Sequence, residues 1–143
     1  MSHAQNYGLA TPFKTIALFG ANGQIGERIF NSLISSKRHT FKVIAFIPPG
    51  SNLQQSSNEN VVVKTFDAKD AARESLAQDL QGVDAVVSAL NGPALKAQAI
   101  IQDAAADASV KRFYPSEYGF HQIYRKPNDP MGYIHPAWNM KAE

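Results

Sequence analysis

Three glycines, Gly20, Gly23 and Gly26, stand directly behind the apolar run Phe13-Lys14-Thr15-Ile16-Ala17-Leu18-Phe19. An apolar run, a glycine turn and an amphipathic stretch spell strand, turn, helix. In a parallel sheet that order gathers backbone N–H groups at a helix N-terminus, where a pyrophosphate is accepted. Gly20 ends the strand where a Cβ would restrict the turn. Gly23 lets the main chain approach the phosphates, and Gly26, in the first helical turn, lets helix and strand pack closely. The spacing G-x-x-G-x-x-G is one residue longer in its first gap than G-x-G-x-x-G. The helix that follows carries an apolar stripe of Ile25, Ile29 and Leu33, with Phe30 and Ile34 beside it. Asn22 and Asn31 are candidate caps or solvated positions, and Lys37-Arg38 suit the negative end of the dipole. The motif predicts a bound dinucleotide and leaves open what is done with it. Its structural alternative is a glycine-rich turn without a ligand.

Apolar runs and helical stripes then alternate along the chain. Strands are predicted at residues 15–19, 41–47, 61–66, 85–89 and 112–115. Residues 41–47 are nearly all apolar, as a strand buried on both faces requires. Helices are predicted after the glycine turn and at residues 71–80 and 94–108, and Pro48-Pro49-Gly50 opens a polar loop over residues 51–60. Ala97, Ile101, Ala104 and Ala108 form a small-residue stripe suited to close packing on a sheet. Such alternation implies a Rossmann-type, doubly wound α/β fold with helices on both faces. The expected strand order is 3-2-1-4-5, with the ligand at the switch between strands 1 and 4. Residues 1–13 read as a tail and residues 14–143 as the folded domain. Pro127, Pro130 and Gly132 mark a loop, and His135-Pro136 opens a helix that Glu143 cuts short after about two turns.

Composition narrows the function classes. A chain of 143 residues suits one domain that buries ~68% of its unfolded surface. The net charge is +2, and the basic pairs Lys37-Arg38, Lys111-Arg112 and Arg125-Lys126 are dispersed, so no nucleic-acid surface is expected. The absence of cysteine excludes disulfides, thiolate nucleophiles and cysteine metal sites and fits a reducing compartment. Residues 1–12 lack the apolar core of a signal peptide, and no run approaches the ~20 residues of a membrane span. A soluble, cytoplasmic protein is the expectation. His121 and His135 have no partner at metal-ligand spacing, and no Gly-x-Ser-x-Gly nucleophile motif occurs.

Residues 80–89 (Leu-Gln-Gly-Val-Asp-Ala-Val-Val-Ser-Ala) and above all 110–119 (Val-Lys-Arg-Phe-Tyr-Pro-Ser-Glu-Tyr-Gly), with the glycine motif, resemble the NmrA-like, isoflavone-reductase-like branch of the atypical short-chain dehydrogenases/reductases. The resemblance runs from about Lys14 to the C-terminus and covers the family's N-terminal, cofactor-binding part. The family's smaller C-terminal substrate domain is expected to be absent. The resemblance implies an NADP(H)-dependent reductase that transfers hydride to a small aromatic secondary-metabolite-like substrate. A minority of relatives are non-catalytic NAD(P)-binding, redox-sensing regulators. A truncated, inactive cofactor-binding fragment is the third reading. Oligomeric state is not legible.

Residue by residue, the resemblance assigns the phosphate loop to Gly20, Asn22, Gly23, Gln24, Ile25 and Gly26. The family usually carries an arginine for the 2′-phosphate of NADP just after strand 2, and Pro48 stands in that slot. Proline offers neither charge nor donor, and an acidic residue that would select NAD is also absent, so NAD(H) stays open beside NADP(H). Ser51, Asn52 and Lys37 are candidate replacements, each with a plain surface role as its alternative. Asp67 matches a residue near the adenine, or simply starts a turn. Ser88, Ala89, Leu90 and Asn91 would lie beneath the ribose, with a hydroxyl bonded to its own loop as the alternative for Ser88. Pro115, Ser116 and Glu117 would lie beside the nicotinamide. Ala137-Trp138-Asn139-Met140-Lys141 keeps the lysine of the Tyr-x-x-x-Lys pattern without its tyrosine, and the resemblance gives Lys141 an acid/base role. Spacing alone would make it a solvated lysine.

Overall fold

The computed structural model of the protein describes residues 13–54 and 58–118. Five parallel strands, β1 (Thr15–Phe19), β2 (Lys42–Ile47), β3 (Val61–Thr65), β4 (Ala85–Ser88) and β5 (Arg112–Tyr114), form one sheet in the order β3-β2-β1-β4-β5. The expected order is thus the observed one. β1 and β2 run in register from Thr15↔Lys42 to Phe19↔Phe46, and β1 meets β4 from Ile16↔Ala85 to Phe19↔Ser88. Val43–Ile47 are buried throughout, because a central parallel strand is covered on both sides. β3 lies at the edge and exposes Val62 and Val63.

Alternation of side chains sends Ala17, Phe19, Ile44, Phe46 and Val86 to one face and Leu18, Val43, Ala45 and Ile47 to the other. Helix α1 (Gln24–Ile34) covers the second face through Phe30, with Ile29 and Leu33 beside it. Helices α2 (Arg73–Asp79) and α3 (Gln98–Asp107) cover the first through Leu76, Ile101 and Ala104. Helices therefore lie on both faces. Leu53, 9% exposed, reaches from the polar β2–β3 connection into the α1 side, where a further helix would otherwise supply apolar cover.

Three local readings change. The α1 stripe is centred on Gly26 and Phe30, one turn apart, and Ile25 is 39% exposed rather than inward. Gly26 must face the strand, and the ~100° step per residue then carries Ile25 outward. The helix expected at 71–80 is α2, trimmed to Arg73–Asp79, and a separate 3-10 turn, Ala68–Asp70, precedes it. Asp67 starts that turn by accepting the Lys69 N–H at 3.0 Å, a local side-chain cap. The helix expected at 94–108 starts as a second 3-10 stretch, Gly92–Ala97, with Pro93 in its first turn, and becomes α3 at Gln98. Its stripe of Ala97, Ile101, Ala104 and Ala108 is buried as expected.

The opposite end of the sheet is held by one carboxylate. Asp84, at the start of β4, accepts the Lys14 and Thr15 N–H groups at 2.8 and 3.0 Å, with Lys111 Nζ 3.4 Å away. The backbone bonds from Thr15 and Lys14 hold its carboxyl below the usual carboxylate range, against an opposing desolvation, with a lesser contribution from Lys111. A depressed folded pKa stabilises above the unfolded value of ~3.9 and is lost as pH falls through the folded value. Asp84→Ala should therefore cost about 1–2 kcal/mol near pH 7. In denaturant titrations the gap from the parent should close below about pH 4; a gap that persists into acid would contradict this origin.

Among the described residues no helix is long and apolar enough to cross a membrane. No cluster of three or more His, Asp or Glu suits a metal ion there either.

Candidate dinucleotide site

A cavity of about 540 Å³ opens over the C-terminal ends of β1, β2, β3 and β4, within the range of small-ligand sites. β1 sends the chain to β2 on one side, and the sheet resumes with β4 on the other, so the cavity straddles the topological switch. Phe46 and Phe66 line its apolar part. Gly20, Asn22 and Gly23 form the wall above β1, Pro48 and Pro49 the end of β2, and Asp67 and Lys69 the end of β3. Ala89, Leu90 and Asn91 close the β4 side, continued by Pro93, Ala94 and Lys96 of the second 3-10 stretch.

The glycine turn is built by close approach. Gly20 has φ +81°, and a Cβ there would lie 2.9 Å from the Ala89 carbonyl oxygen. The turn is pinned to β2 by the Gly20 N–H donating to the Phe46 carbonyl at 3.0 Å. At Gly26 a Cβ would overlap the Gly20 carbonyl oxygen and lie 2.7 Å from its carbonyl carbon. Gly26 therefore serves close packing of the helix on the turn after β1, and it does not line the cavity. Gly23 is the helix N-cap, and its N–H donates to the Gly20 carbonyl at 3.0 Å, so that donor is consumed inside the turn. Its open α-carbon borders the cavity. Among the described residues no side chain caps the start of α1, so Asn22 does not play that part. Gln24 and Ile25 sit where N–H groups have no acceptor within the helix. The turn thus fits a pyrophosphate: a side-chain-free approach, uncapped N–H groups and a positive dipole end converge.

Of the residues expected at the site, the structure brings Gly20, Asn22, Gly23, Pro48, Asp67, Ala89, Leu90 and Asn91 to this cavity. Gln24 and Ile25 stand beside it on α1. Pro115, Ser116 and Glu117 do not line it. Ser116 is buried and faces inward: its hydroxyl donates to the Leu90 carbonyl at 2.7 Å, and its N–H donates to Gln98 Oε1 at 2.9 Å. The Pro-Ser-Glu segment thus clamps the β4 wall from behind. Lys141 lies outside the described residues.

Ser88 is fully buried, and its Oγ has no hydrogen-bond partner among the described residues, so the loop bond offered as its alternative does not form. A buried hydroxyl without a partner costs stability. Ser88→Ala should accordingly be neutral or raise stability by about 1 kcal/mol, read from the denaturation midpoint. A loss above about 1 kcal/mol would show a partner that the hydroxyl depends on.

Among the replacements considered for the missing arginine, Ser51 donates both its N–H (3.2 Å) and its hydroxyl (2.5 Å) to the Pro48 carbonyl. Lys37 and Asn52 do not line the cavity. Among the described residues its cations are Lys69 and Lys96, neither of which carries a sequence motif. The available signal was position: Lys69 closely follows the end of β3, and in a parallel sheet all C-terminal strand ends share one rim.

Comparison with known proteins agrees with this architecture. The chain is 29% identical over 120 residues to isoeugenol synthase 1 of Clarkia breweri, covering 80% of this chain and 38% of that protein. It is 33% identical over 110 residues to an isoflavone reductase-like protein of Olea europaea, covering 73% and 35%. The chain thus spans little more than a third of the length of these curated relatives. The solved complex of leucoanthocyanidin reductase with NADPH from Vitis vinifera shares the fold, with a TM-score of 0.68, 21% identity, and coverage of 89% of this chain and 43% of that one. Residues 12–143 match the NmrA-like family, and the chain belongs to it.

Proposed function

We propose that this chain is the cofactor-binding unit of an NAD(P)H-dependent reductase of the isoflavone-reductase-like type. The carrying observation is the cavity over the β1/β4 switch, with a glycine turn so close to the strand ends that a Cβ at Gly20 or Gly26 would collide with backbone. The uncapped start of α1 would hold the pyrophosphate, and Phe46, Phe66 and Asp67 would border the adenosine half. Ala89, Leu90 and Asn91 would form the wall towards the second ribose, held by the Ser116–Leu90 bond. When bound, the cofactor supplies hydride, and a small aromatic substrate would receive it. Lys141 is the proposed proton-handling group, on the strength of the family pattern alone. A cytoplasmic setting goes with this reading.

Calorimetric titration of the chain with NADPH and NADH tests the binding claim, and binding of neither at millimolar concentration would refute it. Turnover is tested by NADPH oxidation with aromatic enones and ethers. A non-catalytic sensor is the second reading, prompted by Pro48 in the arginine slot. Similar affinities for oxidised and reduced cofactor, without turnover, would favour the sensor.

A further inference from the structure

The loop after β2 is poor in donors where an adenosine 2′-substituent comes to rest. In dinucleotide-binding folds the end of β2 faces the ribose 2′ position, through an acidic residue for a hydroxyl or a nearby cation for a phosphate. Here Pro48 and Pro49 have no N–H, and both Ser51 donors are turned onto the Pro48 carbonyl. A 2′-phosphate at this rim would need its cation from elsewhere.

β3 runs beside β2 at this rim. The pairing Ile47↔Thr65 ends the ladder, and Phe66 extends it by donating its N–H to the Ile47 carbonyl at 2.7 Å. Asp67 and the 3-10 turn that carries Lys69 therefore emerge beside Pro48. Lys69 borders the same cavity as Pro48 and Pro49, and among the described residues it is in no ion pair. Asp67 fixes the backbone of the turn through its bond to the Lys69 N–H, at 3.0 Å, which sets the point from which the lysine side chain starts. Lys96 borders the cavity too, from the 3-10 stretch after β4, which packs against the turn that carries Lys69 but does not itself emerge from the strand paired with β2.

We infer that Lys69 takes the place of the missing arginine and reads the 2′-phosphate, so that this chain selects NADP(H) over NAD(H) from the end of β3 instead of the end of β2. The inference rests on the dinucleotide reading above and adds the discriminating residue to it. An ammonium on a flexible stem is a point charge with rotatable donors, able to meet a phosphate without the fork geometry of arginine. Lys96, on the neighbouring 3-10 stretch that follows β4, would act on the part common to both cofactors.

The test is calorimetric Kd measurement of NADP+ and NAD+ with the 143-residue chain and with Lys69→Ala, Lys69→Arg and Lys96→Ala. The parent should prefer NADP+. Lys69→Ala should weaken NADP+ by about 10- to 100-fold, the worth of one charge-assisted bond, and leave NAD+ within about twofold. Lys69→Arg should keep the preference, and Lys96→Ala should shift both cofactors alike. Equal losses in Lys69→Ala, no loss, or a preference removed by Lys96→Ala would each overturn the inference while leaving dinucleotide binding intact. A parent that prefers NAD+ would do the same and would point to Asp67 as acceptor for a ribose hydroxyl. A parent that binds neither cofactor overturns the dinucleotide reading and this inference with it.

Discussion

Gly26→Ala is expected to destabilise the domain by about 3 kcal/mol or more and to lower its melting temperature by about 10 °C or more. A Cβ at residue 26 would overlap the Gly20 carbonyl oxygen and stand 3.1 Å from the Ala21 α-carbon. These are backbone atoms, so no side-chain rotamer relieves the clash. The Gly20 carbonyl also accepts the Gly23 N–H, and the Gly20 N–H is bonded to Phe46, so moving the carbonyl breaks the turn that starts α1. The other escape, lifting α1 off the sheet, exposes Phe30, now 1% exposed. Gly82→Ala is the control. Gly82 has φ +78° but nothing within 4 Å of an added Cβ, so only the backbone penalty of about 1–2 kcal/mol applies. Thermal and urea denaturation of both variants separates crowding from conformation. A Gly26→Ala chain that melts no lower than Gly82→Ala would show that the turn has room the structure denies it. Where any Gly26→Ala chain remains folded, dinucleotide binding should still fall, because the shifted turn misplaces the start of α1.

The same glycines show how much of the molecule could be read from sequence. Spacing assigned strand, turn and helix, and apolar alternation assigned five strands in their observed order. Periodicity reports which face of an element is apolar, and Ala97, Ile101, Ala104 and Ala108 are buried accordingly. It does not report contacts between elements far apart in the chain. The Asp84 carboxylate meets the Lys14 N–H across 70 residues, and nothing local to either residue announces it. Ile25 was misplaced for a related reason: the closest approach of helix and strand at Gly26, not the centre of the apolar stripe, sets the rotation of α1. At the site, the residues legible in advance are those carrying a motif. Lys69 and Lys96 carry none and reach the cavity because the ends of β3 and β4 share a rim with the glycine turn. Ser116 shows the converse. Its motif is distinctive, yet its hydroxyl and N–H are spent on Leu90 and Gln98, which makes it support for the cavity wall.

Phe46→Ala should cost about 3–5 kcal/mol and lower the melting temperature by about 10–20 °C. Phe46 is 1% exposed and stacks on Phe19, with ring centroids 4.1 Å apart and planes within 5°. Phe19 in turn meets Phe66 edge-on, with centroids 5.1 Å apart. Removing this β2 ring takes away buried apolar area and the aromatic contact, worth about 0.5–1.5 kcal/mol beyond area. The void would open into the cavity that Phe46 and Phe66 line, so water can enter it. Water entry does not restore the lost packing, because the new lining is apolar. The backbone carbonyl of residue 46 remains in the variant, and with it the bond from the Gly20 N–H that pins the glycine turn. The loss should therefore appear first in stability, while a chain kept cold enough to stay folded retains dinucleotide binding at reduced affinity. Phe46→Leu, which keeps most of the volume, should recover more than half of the lost stability. A Phe46→Ala chain within about 1 kcal/mol of the parent would mean that the sheet closes over the gap, and that the floor of the site does not depend on this ring.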